Sequence, residues 1–215
     1  PRRAKVLATL QLTARGVPFL YQGEEIGMTN LDLPIASALD PLAHFYRFVP
    51  PWLQTLLRRK GVLINRDECR TPMQWSSADN AGFSPPGTRP WLPVHPSYPW
   101  TNVAVQLTDP NSLLSHYRRL LKLRRKLPAL HSGSLTLWHP TNLPEPVLGY
   151  QRRSGSELVD VLLNFAPRLV EVSLPEARQL LFSTHQESLL LDGNQLRLRP
   201  LECVILAPPG QGVGP

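Results

Sequence analysis

Apolar residues spaced three and four positions apart predict two amphipathic helices and one shorter helical candidate. The first helix covers residues 4–14 and is followed by Gly16, a common stop signal. The second covers residues 112–126, and residues 109–112 before it supply capping side chains. The shorter candidate covers residues 52–60. These segments give the N-terminal part of the chain a helical framework.

A short apolar run, residues 17–21, follows the first helix and ends in the polar sequence Gln22-Gly23-Glu24-Glu25. Helix, glycine turn and apolar strand in this order are typical of an αβ unit in a parallel sheet or barrel. We therefore expect residues 17–21 to form a parallel strand. Active-site residues collect at the C-terminal ends of such strands.

The pattern changes after Gly133, where eight short β-prone segments are separated by Pro, Gly, Ser or Asn turns. The segments are residues 135–138, 147–152, 158–164, 169–174, 179–183, 188–191, 195–198 and 202–207. Short strands at this spacing predict an antiparallel β-sandwich or barrel-like domain. We place the domain boundary near residue 132, giving domains at 1–132 and 133–207, and expect the Gly- and Pro-rich tail 208–215 to be disordered.

Residues 29–96 form a long irregular region that is rich in proline. Such a segment is either a functional loop region or disordered. Aromatic residues at positions 45, 46, 48, 52, 75 and 83 favour an ordered loop, because disordered segments are poor in them.

Composition narrows the function classes. The chain has 215 residues and a net charge of +7, and a large share of its basic residues falls in the helix at 112–126. The apolar stripe of that helix makes the basic residues its solvated face, so no nucleic-acid partner is expected. No apolar run is long enough to cross a bilayer, and no signal segment is visible, so no membrane partner is expected.

Cysteine usage points to a reducing compartment. Cys69 and Cys203 lie far apart, without the spacing of a metal site or a disulfide framework. We therefore expect no metal and no cofactor, and a cytoplasmic location.

One stretch carries the most suggestive chemistry: Cys69-Arg70-Thr71-Pro72-Met73-Gln74-Trp75, followed by Asp79-Asn80-Ala81-Gly82-Phe83. The guanidinium of Arg70 is always charged and offers a rigid fork of donors, suited to sugar hydroxyls or to an orienting carboxylate. On the residues alone, an Arg beside a Trp is also compatible with surface or interdomain packing.

Three motifs in order carry a family resemblance. Gly16-Val17-Pro18-Phe19-Leu20-Tyr21-Gln22-Gly23-Glu24-Glu25-Ile26-Gly27-Met28, then Arg70-Thr71-Pro72-Met73-Gln74-Trp75, then Asn80-Ala81-Gly82-Phe83, resemble the α-glucosidase and oligo-1,6-glucosidase branch of glycoside hydrolase family 13, the α-amylase family. The resemblance covers essentially the whole chain.

The resemblance implies a fold of class α/β plus all-β: the C-terminal portion of a (β/α)8 TIM barrel, with residues 17–21 as its last strand, followed by an antiparallel β-sandwich domain. It also implies retaining hydrolysis of terminal α-linked glucose in oligosaccharides, with two carboxylates and a stabilising aspartate. These three residues lie on earlier strands, so no catalytic residue is expected in this chain. Since the chain begins Pro1-Arg2-Arg3 directly in a helical pattern, we expect a fragment that is inactive alone.

Arg70 is the one position that the resemblance assigns to substrate binding, at the glucose before the cleaved bond. Many members of the family carry Asp after the Trp of this motif, whereas this chain has Ser76, which puts the turn cap or salt bridge of that Asp in doubt.

Other conspicuous residues have plainer explanations. Glu24 and Glu25 are neighbours that point in different directions, so an architectural role is expected rather than an acid and base pair. The three histidines at 44, 116 and 131 lack metal spacing, and residues 65–67 are expected to fix the Arg70 loop. Trp91 and Trp100 have proline neighbours, which favours loop packing over sugar stacking.

Two alternatives remain open at this point. Heavy-chain subunits of amino-acid transporters share a non-catalytic, hydrolase-like ectodomain and a similar motif. A carbohydrate-binding β module is the other, although Trp138 and Tyr150 are isolated aromatics. Substrate linkage and oligomeric state are left open by the sequence.

Overall fold

The computed structural model describes residues 2–139, 143–185 and 190–211, and it groups the chain into two compact units. One unit contains residues 1–20 and 109–215, and the other contains residues 21–108. The helices are α1 (Arg2–Thr13), α2 (Pro41–Tyr46), α3 (Pro51–Arg59), α4 (Val103–Thr108), α5 (Leu113–Lys126) and α6 (Pro128–His131). The strands are β1 (Ser134–Leu137), β2 (Val147–Ser154), β3 (Glu157–Asn164), β4 (Val170–Ser173), β5 (Gln179–Ser183), β6 (Leu190–Asp192), β7 (Gln195–Leu198) and β8 (Cys203–Ala207).

Within the described residues, eight short antiparallel strands follow α6, as the β-prone segments and their turn residues predict. They form a five-stranded sheet in the order β1-β2-β3-β8-β5 and a three-stranded sheet in the order β4-β7-β6. Part of the predicted segment 188–191 lies outside the described residues, and β6 occupies 190–192. The prediction of short antiparallel strands is confirmed.

Both sheets contribute to one apolar cluster. Leu162 on β3 and Val204 and Leu206 on β8 pack with Val172 on β4 and Leu196 on β7. The inward side chains alternate with exposed ones along β4 and β7, which is the period of a half-buried strand. This cluster closes the space between the two sheets.

The other face of the larger sheet packs against α1, α5 and α6 in a second apolar cluster. Leu12, Leu120 and Leu130 are fully buried there, one from each helix. The side chain of Ser112 caps α5 by accepting a hydrogen bond from the backbone N–H of Ser115 at 3.0 Å. The predicted amphipathic character of α1 and α5 is therefore what builds this part of the core.

Arg124 departs from the predicted solvated face of α5. Its side chain is buried, and its guanidinium donates to the carbonyls of Leu12 at 2.6 Å and Gly16 at 2.8 Å. The last carbonyls of a helix lack intrahelical partners, and a cation there also satisfies the helix dipole. The other basic residues of α5, including Arg118 and Lys122, are exposed as expected.

The predicted strand at residues 17–21 is wrong for this structure, because these residues pair with no strand in the part of the chain that is described. Val17 and Phe19 are 80% and 84% exposed. A strand needs neighbouring strands to satisfy its backbone groups, and no described residue of this chain supplies them there.

The unit of residues 21–108 contains short helices, tight turns and loops, and no strand among its residues. Its apolar cluster is small and consists of Ile35, Ala43 and Ile64 with three partly buried neighbours. The expected helix at 52–60 appears as α3, and its Trp52 is 69% exposed. This unit is therefore held to a large extent by polar contacts.

The first four residues of the tail, 208–211, contact the larger sheet. Gln179 donates from its side chain to the carbonyls of Pro208 at 3.0 Å and Gln211 at 2.7 Å. The expected disorder of the remaining residues, 212–215, concerns positions outside the described residues.

Candidate functional site

A four-residue 3₁₀ turn, Arg66–Cys69, immediately precedes Arg70 and is fixed by side chains from distant segments. The buried carboxylate of Asp40 accepts from Nε of Arg66 at 3.0 Å, from Nη2 of Arg66 at 2.5 Å and from the backbone N–H of Arg66 at 2.8 Å. These contacts hold the pKa of Asp40 well below its ordinary value, with the Arg66 side-chain hydrogen bond as the largest cause. Asp40 is therefore ionised in the folded chain.

Asp67 makes the reciprocal contact. Its buried Oδ2 accepts from the backbone N–H of Leu39 at 2.7 Å and of Asp40 at 3.0 Å. Asn65 accepts from the backbone N–H of Asp67 at 3.1 Å and so caps the turn. Two chain segments are thus joined by carboxylates that each bind the backbone of the other segment.

Glu68 ties the same turn to a third segment. Its carboxylate pairs with Nη2 of Arg58 at 2.7 Å, and its carbonyl accepts from the backbone N–H of Leu31 at 2.9 Å. Arg58 also donates to the carbonyl of Leu33 at 3.0 Å. Each of these bonds restricts the position of the turn before Arg70.

Arg70 itself is exposed and lines a cleft of about 320 Å³. The cleft is lined by Tyr21, Gln22, Cys69, Arg70, Thr71, Pro72, Phe83 and Trp91. The backbone N–H of Arg70 donates to the carbonyl of Asp67 at 3.0 Å, and its guanidinium forms no salt bridge with a carboxylate in the described part of the chain.

Tyr21 and Cys69 lie beside Arg70 in this cleft. The Tyr21 hydroxyl is 3.5 Å from the Cys69 thiol, and the thiol in turn donates to the carbonyl of Arg66 at 3.2 Å. The Cys69 contact raises the pKa of Tyr21, with partial burial adding to the effect, whereas the guanidinium of Arg70 acts in the opposite direction. The lining of the cleft thus combines a cation, a phenol and the aromatic side chains of Phe83 and Trp91.

The Asn80-Ala81-Gly82-Phe83 motif shapes the loop that follows the Arg70 motif in the chain, and its Phe83 lines the cleft. Asn80 and Ala81 both adopt the left-handed conformation, with φ of 51° and 56°, and Gly82 follows at 66°. The carbonyl of Ala81 accepts from the backbone N–H groups of Trp75 at 2.9 Å and Ser76 at 3.0 Å. The motif therefore folds back on the Arg70 motif and fixes it from the C-terminal side.

Ser76, at the position where many family members carry Asp, makes a turn contact of its own. Its hydroxyl accepts from the backbone N–H of Ala78 at 3.3 Å, the kind of contact that an Asp makes at this turn position. A Cβ added at Gly82 would come within 2.6 Å of this hydroxyl, so the two positions are packed against each other.

A family model described as the catalytic domain of α-amylase matches residues 1–133. This chain belongs to the α-amylase family. The matched region contains the whole unit of residues 21–108, and with it Arg70, its clamped turn and the cleft.

Curated relatives of this α-amylase family chain include glucosidases. An oligo-1,6-glucosidase of Parageobacillus thermoglucosidasius is 34% identical over 93% of this chain and 36% of its own length. A probable α-glucosidase of Rhizobium meliloti is 37% identical over 81% of this chain and 28% of its own length. The chain spans about a third of the length of the curated relatives that it matches.

A similar family member of known structure is a trehalulose synthase of Pseudomonas mesoacidophila, with a TM-score of 0.81, 33% identity, and coverage of 96% of this chain and 38% of the synthase. An isomaltulose synthase of Erwinia rhapontici, solved with sucrose, has a TM-score of 0.75 and 32% identity over 96% of this chain and 38% of its own. The fold of both units is therefore shared with family enzymes of known structure.

The structure places the other conspicuous residues of this family chain in supporting positions. Glu24 and Glu25 lie in a 3₁₀ turn, where Glu24 accepts from the backbone N–H of Tyr21 at 3.0 Å and Glu25 from that of Gly23 at 2.9 Å. Trp91 lines the cleft, and Trp100 is 68% exposed. The two glutamates are turn acceptors rather than neighbouring groups on a strand end.

The histidines follow the same pattern. His44 and His131 are exposed, whereas His116 is buried with its Nε2 3.1 Å from the Thr9 hydroxyl. Across residues 2–139, 143–185 and 190–211, no group of three or more His, Cys, Asp or Glu side chains is arranged to hold a metal ion. No helix in those ranges has the length and apolar character that a membrane crossing requires.

Sequence reasoning missed Asp40, which the tertiary structure brings to the turn before Arg70. Asp40 also begins α2, because its Oδ1 accepts from the backbone N–H of Leu42 at 3.1 Å and Pro41 occupies the first helical turn. An Asp followed by Pro is a recognised helix start, so this signal was present in the sequence.

Proposed function

We propose that this chain is the C-terminal part of a retaining α-glucosidase, which hydrolyses terminal α-linked glucose from oligosaccharides. The observation that carries the proposal is Arg70, which lines a cleft, has no carboxylate partner in the described chain, and directly follows a turn that is bonded to Leu39, Asp40 and Arg58. A rigid fork of donors held in this way suits sugar hydroxyls, and it leaves one side for an orienting carboxylate from elsewhere in the enzyme.

The chemical step itself is assigned to residues outside these 215. Retaining hydrolysis needs a nucleophilic carboxylate and an acid/base carboxylate about 5 Å apart, on either side of the glycosidic bond. Glu24 and Glu25 do not meet this need, since both are occupied as turn acceptors for backbone N–H groups. In the proposal, residues 1–132 are the end of the (β/α)8 barrel and residues 133–207 a β-sandwich domain.

Family membership and the names of the relatives favour the enzyme over the two alternatives. The reported relatives are named as glucosidases, and the reported structures as sugar synthases. A cytoplasmic location also belongs to the proposal, and it rests on two separate cysteines without disulfide spacing. Neither nucleic acid nor a membrane is proposed as a partner.

The test uses the full-length protein with p-nitrophenyl α-glucoside, maltose and isomaltose. Arg70→Ala is expected to lower kcat/KM by about 10- to 100-fold, the loss that corresponds to removing hydrogen bonds from a charged donor. Arg59→Ala is the matched control, because Arg59 is an exposed arginine of the same unit that lies outside the cleft. NMR of the first product should show the α-anomer of glucose if configuration is retained.

The 215-residue chain alone should show no turnover on any of the three substrates. Turnover by this purified chain, or an unchanged kcat/KM in Arg70→Ala, would contradict the proposal.

A further inference from the structure

We propose that Asp40 is a positioning residue for Arg70. Its carboxylate accepts hydrogen bonds from Arg66, fixes the position of the Arg66–Cys69 turn, and thereby orients the Arg70 guanidinium. This inference rests on the sugar-binding role proposed for Arg70 and adds a residue 30 positions earlier in the chain. Neither Asp40 nor Arg66 lines the cleft.

The first step concerns what holds the turn. A 3₁₀ turn of four residues has few backbone hydrogen bonds of its own and cannot fix its position. The unit of residues 21–108 contains no strand that could hold it, and its apolar cluster is small. The place of the turn is therefore set by side chains, and Asp40 supplies three of the contacts.

The second step is the geometry of the hydrogen bonds between Arg66 and the Asp40 carboxylate. Nε and Nη2 of Arg66 approach the Asp40 carboxylate together, at 3.0 and 2.5 Å, so the guanidinium plane is fixed as well as its distance. The backbone N–H of Arg66 binds the same carboxylate at 2.8 Å. The Asp67 carboxylate returns the contact to the backbone of Asp40 at 3.0 Å. Translation and rotation of the turn relative to Asp40 are both restricted.

The third step connects the turn to Arg70. The backbone N–H of Arg70 binds the carbonyl of Asp67 at 3.0 Å, and the thiol of Cys69 binds the carbonyl of Arg66 at 3.2 Å. Both residues at the end of the turn are thus bonded directly to residues that Asp40 holds. A shift of Arg66 would be passed to the Arg70 side chain over a distance of four residues.

The fourth step is energetic. The Asp40 side chain is 0% exposed, whereas that of Arg66 is 42% exposed. The pKa of the Asp40 carboxyl is lowered in spite of its burial, so the hydrogen bonds from Arg66 outweigh the cost of removing the carboxylate from water and hold this one arrangement. A residue that fixes conformation next to a ligand-binding side chain acts on binding geometry.

The experiment is a double-mutant cycle on kcat/KM in the full-length protein with p-nitrophenyl α-glucoside. Asp40→Asn keeps the size of the side chain but replaces one acceptor oxygen with an NH2 group. This donor then meets the N–H donors of the Arg66 guanidinium. Asp40→Asn alone is expected to lower kcat/KM by about tenfold, since small misplacements of binding groups have effects of this order. In the Arg70→Ala background the same change should alter kcat/KM by less than about twofold, because the two residues act as one unit.

Arg66→Lys is the second variant, in case Asp40→Asn folds poorly. It keeps the positive charge but lacks the planar pair of N–H donors that binds the Asp40 carboxylate. Its effect on kcat/KM should therefore also be non-additive with that of Arg70→Ala. Arg178→Lys is the matched control, because Arg178 pairs with buried Asp160 at 2.6 Å in the other unit. It should lower the melting temperature while leaving kcat/KM within about twofold, and its effect should add to that of Arg70→Ala.

The outcomes separate the two proposals. If Arg70→Ala leaves kcat/KM unchanged, the sugar-binding role of Arg70 fails, and the positioning role fails with it. If Arg70→Ala lowers kcat/KM but Asp40→Asn and Arg66→Lys add to it in full, Asp40 only stabilises the fold and the positioning role alone is overturned.

Discussion

Each of the two compact units of this chain is stabilised internally by a different kind of interaction. In the unit of residues 1–20 and 109–215, two antiparallel sheets and three helices bury two large apolar clusters. The unit of residues 21–108 has only a small apolar cluster. In addition, buried carboxylates in this unit accept hydrogen bonds from backbone N–H groups and from arginine guanidinium groups. Sheets and helices can be built from burial alone, whereas irregular loops need specific polar bonds to hold one shape.

An aspartate–arginine pair in each unit shows the difference most clearly. Asp160 and Arg178 are 1% and 4% exposed and 2.6 Å apart, inside the unit of residues 1–20 and 109–215, which is called the β-sheet unit below. Asp40 and Arg66 are equally close, but the arginine side chain is 42% exposed. The first pair is cut off from water, and the second is open on one side. Loss of the arginine should therefore have different consequences in the two units.

The largest expected effect is that of Arg178→Ala. Asp160 would stay buried, with Trp138 and Gln151 as its remaining side-chain donors among the described residues, and breaking such a pair costs about 3–5 kcal/mol. Arg66→Ala should cost less, because the Arg66 side chain is 42% exposed and water can reach Asp40 from the vacated side. Denaturant unfolding, with hydrogen exchange to assign each transition to a unit, measures both values. Equal costs would remove the distinction between the two pairs.

Core truncation should follow closely in size. Leu162 is fully buried between the two sheets, so Leu162→Ala should lower the free energy of unfolding by about 2–5 kcal/mol. Leu137→Ala is the matched control, because Leu137 is 64% exposed on β1 and should change stability by less than about 0.5 kcal/mol. A similar loss in both variants would show that the sheets do not depend on this cluster.

His116 gives the β-sheet unit a pH dependence. Burial, with Lys5 and Arg119 adding to it, lowers the pKa of His116 to about 3. The unfolded chain takes up this proton near pH 6.5 and the folded chain does not, so stability is full above that value and falls as the pH is lowered. The expected loss between pH 7 and pH 5 is about 2 kcal/mol. In His116→Gln this slope should disappear, and a slope that persists would assign it to other groups.

The smallest difference is expected between two glycines in the unit of residues 21–108. Gly82 has φ of +66°, and a Cβ there would lie 2.6 Å from the Ser76 hydroxyl. Gly82→Ala should cost about 2 kcal/mol, whereas Gly87→Ala, with φ of +79° and no atom within 4 Å, should cost about 1 kcal/mol from backbone strain alone. Thermal unfolding of the two variants measures the difference. Identical shifts would mean that Ser76 adjusts without cost.

Sequence reasoning succeeded where structure depends on near neighbours in the chain. The period of apolar residues predicted α1, α5 and the β-strands, and turn residues placed the breaks between them. It failed at residues 17–21, whose apolar run resembles a strand but pairs with no strand here. It also missed that Arg124 would be buried, because the carbonyls that it binds lie more than 100 residues earlier.

For the candidate site, the motif around Arg70 could be predicted from the sequence. The distant side chains that hold the turn before Arg70 could not. The residue types of the motif give a charged fork beside aromatic side chains, and these are visible in the sequence. Tyr21, Phe83 and Trp91 join Arg70 at one cleft only because the loops fold back on one another.

The sequence determined the local elements, the family membership and the chemical character of Arg70, since each depends on residue types and short spacings. Tertiary structure alone decided the strand order β1-β2-β3-β8-β5, the burial of Arg124 and the pairing of Asp40 with Arg66 across 26 positions. The reason is physical: these contacts join groups that are distant in the chain, and their distances are set by the packing of the elements between them.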